Sequence, residues 1–75
     1  MGAKMQISYN KLWKLLIDRN IRKQELKEAT GLGSTTMTKL NSNQLVSMEV
    51  MMKICFFLQC DIGEVMSFTF NKEND

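Results

Sequence analysis

Between Ser34 and Ser42 the chain sets out a pattern of small hydroxyl side chains and one lysine, at Ser34, Thr35, Thr38, Lys39 and Ser42. On a helix these residues point outward, while Met37 and Leu40, three apart, make an inward face. Such a surface offers hydrogen-bond donors, acceptors and one positive charge. Its side chains are short enough at the N-terminal end to let the backbone approach a partner closely. Covalent chemistry is not on offer. The chain has no histidine, no paired carboxylates in a plausible cleft, no phosphate-cradling loop and no nucleophile beside a base. An enzyme is the least favoured class.

The elements that would hold this face are two short amphipathic segments in QELKEATGLGSTTMTKL, Gln24 to Leu40. Leu26, Ala29 and Thr30 fall at i, i+3 and i+4, one face of a first helix. Gly31 stands where a helix ends in the left-handed conformation that glycine adopts without steric cost. Leu32 plugs the turn, and Ser34 is the expected N-cap of the second helix. Two helices joined through a glycine turn, the second with a polar and basic outer face, form a helix-turn-helix pattern.

The chain resembles the lambda-repressor-like domains of the Cro/cI (XRE) family. That family's pattern has a turn Gly with apolar residues five before it and one, six and nine after it. Leu26, Leu32, Met37 and Leu40 occupy those places around Gly31. The stretch VSMEVMMKICFFLQCDIGEVMSF resembles the family's fourth and fifth helices, so the likeness spans about Ile7 to Phe68. One departure is Lys27, where many members carry Ala; its aliphatic stem can cross the interhelical contact while the ammonium stays in water. The resemblance implies an all-α, compact five-helix domain. It also implies sequence-specific binding to double-stranded DNA, with base contacts from Ser34, Thr35, Thr38, Lys39 and Ser42. Phosphate contacts would fall to Arg22, Lys23, Gln24, Thr36, Asn41, Asn43 and Gln44. Each hydroxyl alone is equally a cap or a solvated group; the constellation carries the functional reading.

Chain length and composition agree with one domain over residues 1–75. Such a chain buries only about 60% of its unfolded surface, which leaves no room for a large cleft. Proline is absent and glycine scarce, as in helical proteins. Residues 1–46 hold eight Lys or Arg against three acids, a net +5, and residues 47–75 hold two against five, a net −3. A basic half coinciding with the helix-turn-helix suggests a polyanionic partner, although a solvated basic surface explains the charge alone equally well. No apolar run reaches the roughly 18 residues of a membrane span, and no signal-peptide core opens the chain, so a cytoplasmic protein is expected. Cys55 and Cys60 without any His fall short of a metal site and are expected as buried free thiols. No cofactor and no small-molecule site are expected.

The remaining elements follow in order. MQISY (residues 5–9) alternates weakly, and SFTF (residues 67–70) alternates again, so the termini can pair as a short two-stranded ribbon. The ends, 1–6 and 71–75, are expected to be flexible. A first helix runs from about Asn10 to Arg19, capped near Ser8, with Leu12, Leu15 and Leu16 inward, Trp13 and Ile17 flanking and Arg19 in water. Arg22 and Lys23 open the second helix. Lacking a side-chain acceptor there weakens its start by roughly 1 kcal/mol, which invites a phosphate-binding role or is an ordinary poor cap. Ser47 caps a fourth helix, Met48 to Leu58, with Val50, Met51, Ile54, Cys55 and Leu58 toward the core. Asp61 to Glu64 forms a capping box before a short fifth helix.

The fourth helix carries a second apolar stripe, Met48, Met52 and Phe56, and Phe68 and Phe70 follow it. A domain this small cannot bury both stripes, so these five residues are the expected homodimer interface. The function expected is that of a small repressor acting as a dimer on a palindromic operator. The competing reading is a partner-binding module, such as an antitoxin or repressor subunit, whose second stripe meets a different protein.

Overall fold

A computed structural model describes residues 3–72. The order is strand β1 (Ala3–Ser8), helices α1 (Asn10–Asp18), α2 (Lys23–Thr30), α3 (Ser34–Asn41) and α4 (Met48–Leu58), a single 3-10 turn (Ile62–Glu64), and strand β2 (Ser67–Lys72). Four α-helices therefore stand where five were expected. Asp61 does cap the last segment, its carboxylate accepting from the Ile62 N–H at 2.7 Å, but β2 begins at Ser67, soon after the three-residue turn ends at Glu64. The element stays one turn long.

The terminal ribbon forms. β1 and β2 pair antiparallel, with Met5 opposite Phe70 and Ile7 opposite Phe68. Alternation puts these four residues on one face of the ribbon. The strands run from Ala3 and out to Lys72, into the ends expected to be flexible; residues 1–2 and 73–75 lie outside the described ones.

One core joins all helices. Leu12 and Leu16 of α1, Leu26 of α2, Met37 and Leu40 of α3, and Met51, Ile54 and Leu58 of α4 are buried together with Leu32 and Val65. Tyr9, which the alternating pattern placed only in a weak strand, is 1% exposed and central to that core. Burial suits its ring because its hydroxyl donates to the Gln44 carbonyl at 2.7 Å. Leu15 is half-buried, whereas Ile17 and Ala29, expected on or near inward faces, are exposed. Each helix packs on one side only, and residues at the edge of its apolar stripe stay in water.

Arg19 is exposed, as expected, and it also bonds a distant element. Its guanidinium donates to the Leu58 carbonyl at the C-terminal end of α4, where a cation complements the helix dipole. Cys55 and Cys60 are free and half-buried. Among the described residues no group of three or more His, Cys, Asp or Glu side chains is placed to hold a metal ion. No described helix is long and apolar enough to cross a membrane.

Candidate nucleic-acid interface

The turn between α2 and α3 is set by backbone chemistry. Gly31 ends α2 at φ 71°, with its N–H on the Lys27 carbonyl. The Leu32 N–H bonds the same carbonyl at 3.2 Å, which rotates the chain so that the Leu32 side chain drops into the core. Gly33, extended at φ −81° and ψ 168°, is the N-cap residue of α3. Ser34, expected in that role, is instead the first helical residue. Its hydroxyl accepts from the Lys27 ammonium at 3.0 Å. The lysine stem is half-buried across the α2–α3 contact, and its ammonium is tethered to the first residue of α3.

The start of α2 shows how a cap is assembled without a side-chain acceptor at its first position. Arg22 is the N-cap residue, just outside the helix. A guanidinium carries donors only, so it cannot bond the helix N–H groups. The Glu25 carboxylate closes half of the box by accepting from the Arg22 N–H at 2.8 Å. Glu28, one turn on, accepts from the Gln24 amide at 3.0 Å. Both acids of α2 are thereby engaged within their own helix, and neither bonds Lys23 or Lys27.

Ser34, Thr35, Thr38, Lys39 and Ser42 are all exposed, and α3 carries the first four with Ser42 as its C-cap residue. Their hydroxyls differ in what they can offer. Thr38 donates to the Ser34 carbonyl at 3.0 Å, and Ser42 donates to the Thr38 carbonyl at 2.6 Å. Both protons are turned back on the helix, so lone pairs face outward. Ser42 also accepts from the Gln44 amide at 3.1 Å. Thr35 and Lys39 sit on the same surface one turn apart. This face can present a lysine ammonium and a threonine to a partner while its neighbours present acceptors.

The residues expected at the margins are brought close to that face in part. Lys23 reaches across to α3, its ammonium donating to the Asn41 side-chain oxygen at 2.8 Å. The same ammonium lies 4.2 Å from the centre of the Trp13 ring. Asn43, in the left-handed conformation at φ 57°, uses its side-chain oxygen to accept from the Tyr9 N–H at 3.1 Å. That bond fixes the loop after α3 to the end of β1. Thr36 is half-buried and Gln44 is exposed. Two participants lay outside the expected set, Trp13 and Lys27. The oddity of Lys27 in a helix-contact position was visible in the sequence; the meeting of Trp13 and Lys23, on different helices, had no local signal.

The expected second stripe is on the surface. Met48, Met52 and Phe56 are exposed along α4, Phe56 at 78%, and Phe68 and Phe70 are exposed on β2. The register adds Met5, also exposed, to the ribbon's apolar face. Leu45 extends it across an open groove between the ribbon and the α3–α4 loop.

The family model of the Cro/C1-type HTH DNA-binding domain matches residues 11–71. The fold is similar to a crystal structure of the transcriptional regulator VanUg, with 48% sequence identity over 92% of this chain and 89% of that one, and a TM-score of 0.85. No curated protein matches it.

Proposed function

The chain belongs to the Cro/C1-type helix-turn-helix family of DNA-binding transcriptional regulators, and from that premise we propose that it is a cytoplasmic repressor binding a palindromic operator as a homodimer. B-DNA's major groove admits one helix, and each base pair shows a distinct set of donors and acceptors there. The observation that carries this reading is the exposed outer face of α3, held rigidly by the Gly31 turn and the buried Leu32, Met37 and Leu40.

In this account Thr35 and Lys39 touch base edges, with Ser34, Thr38 and Ser42 beside them. Lys39 suits guanine N7 and O6; the Thr35 methyl suits thymine. Lys23, Gln24, Arg22, Thr36, Asn41, Asn43 and Gln44 position the domain on phosphates. One such domain spans too few base pairs for a unique genomic site. Two copies about a two-fold axis, joined through Met48, Met52, Phe56, Phe68 and Phe70, supply the pair of recognition helices that half-sites about 34 Å apart require.

The test is salt dependence. Each neutralised phosphate contact contributes about 0.9 to the log–log slope of affinity against salt on B-DNA. Lys23→Ala should lower the slope by about that amount. An unchanged slope means that the α2 end of the face does not dock.

A further inference from the structure

We propose that Trp13 is a positioning residue for DNA-backbone recognition: its indole ring, with Asn41, holds the Lys23 ammonium in place for a phosphodiester oxygen. This rests on the reading of α2–α3 as the docking face, and deepens it.

The observation is a three-helix convergence. Trp13 belongs to α1, Lys23 is the first residue of α2, and Asn41 is the last residue of α3. The Lys23 Nζ is 4.2 Å from the Trp13 ring centre and 2.8 Å from the Asn41 side-chain oxygen. A lysine on a surface normally samples many rotamers, and ordering it on binding costs conformational entropy. Here that ordering is done before any partner arrives. Tryptophan is the aromatic ring that attracts a cation most strongly.

The geometry leaves the ammonium usable. It has three donor protons; Asn41 takes one, and the ring face attracts the charge without being an oxygen acceptor. Lys23 itself is exposed, so donor capacity remains toward solvent. No carboxylate bonds this ammonium among the described contacts, and Glu25 and Glu28, the acids of the same helix, are bonded elsewhere. An ammonium held by an uncharged ring and an uncharged amide keeps its full charge for a polyanion. A salt bridge at the same place would have cancelled it. Trp13 is half-buried, which lets one face pack on the core while the other takes the lysine.

The test is a double-mutant cycle read on DNA affinity. A labelled duplex of mixed sequence is bound by the full chain and by Trp13→Leu, Lys23→Met and the double variant, with thermal unfolding followed in parallel. Trp13→Leu should weaken binding about two- to fivefold, and Trp13→Phe, which keeps an aromatic face, should restore most of it. In the Lys23→Met background, Trp13→Leu should cause no further loss. An equal loss in both backgrounds overturns the proposal while sparing the docking face, because Trp13 would then act through the fold. If Lys23→Met changes neither affinity nor salt slope, the proposal and the assignment of α2 to DNA fall together. Trp13 is the sole tryptophan, so its emission supplies a readout independent of the Leu variant's folding. Adding duplex should shift that emission in the unmutated chain and leave it unshifted in Lys23→Met. The same shift in both also overturns the proposal.

Discussion

The Tyr9 hydroxyl donates to the Gln44 carbonyl at 2.7 Å, across 35 positions of sequence. Together with the Tyr9 N–H on Asn43, this bond sets the level at which the loop after α3 leaves the domain. A buried residue at the junction of β1 and α1 thus fixes the trailing end of α3.

Tyr9→Phe should cost about 1 kcal/mol, the net worth of one such hydrogen bond. The cost also has a pH dependence. Burial raises the Tyr9 phenol above its ordinary 10.0, and burial likewise raises the Cys55 and Cys60 thiols above 9.0. In each case the unfolded chain loses the proton first, so stability is full below the ordinary values and falls as pH climbs through the folded ones. Thermal melts from about pH 8 to about pH 11 should show the unmutated protein losing its advantage over Tyr9→Phe. A constant difference would mean that Tyr9 ionises equally in both states.

Gly31 and Gly33 make opposite forecasts although two residues apart. A Cβ at either position would meet no atom within 4 Å, so backbone conformation alone decides. Gly31 is left-handed at φ 71°, and Gly31→Ala should cost about 1–2 kcal/mol. Gly33 is extended, and Gly33→Ser should add a capping oxygen and stabilise by about 0.5–1 kcal/mol. Equal effects in chemical denaturation would contradict this account of the turn.

Lys39→Ala should relax base preference at one position per half-site, by about 1–3 kcal/mol if the contact to guanine is bidentate. Selection from random duplexes would show one flattened column. Uniform weakening on every sequence would move Lys39 to the phosphate group.

The apolar surface predicts self-association. Burying a Phe is worth about 1.5–3 kcal/mol, and a two-fold axis counts each residue twice. Phe56→Glu or Phe68→Glu should yield a folded monomer by sedimentation that still binds a half-site weakly. If the unmutated chain is already monomeric at tens of micromolar, the homodimer proposal fails and the stripe serves a different partner.

What was legible in the sequence was what local rules control. Gly31, Leu32, Met37 and Leu40 encode the turn through spacing and a backbone preference, and Ser47 caps α4 as its position suggested, accepting from the Val50 N–H at 3.2 Å. The pairing of the termini was visible as two alternating runs. Hydrogen bonds from single side chains to distant residues were not. Tyr9 looked like a strand residue because its partners, Asn43 and Gln44, lie far along the chain. Arg19 is exposed as expected, but its bond to α4 had no local signal because the Leu58 carbonyl lies far along the chain. Ser34 looked like an N-cap because its type is right, yet Lys27 took its hydroxyl and Gly33 supplied the cap geometry.

The most direct measurement is to map duplex DNA onto the surface by backbone amide chemical shifts of the full chain at low and high salt. The largest changes are expected at Lys23, Gln24 and Ser34 through Lys39, shrinking as salt rises, with Met48 to Phe56 little affected. Changes centred on α4 or the ribbon, or none at low salt, would contradict it.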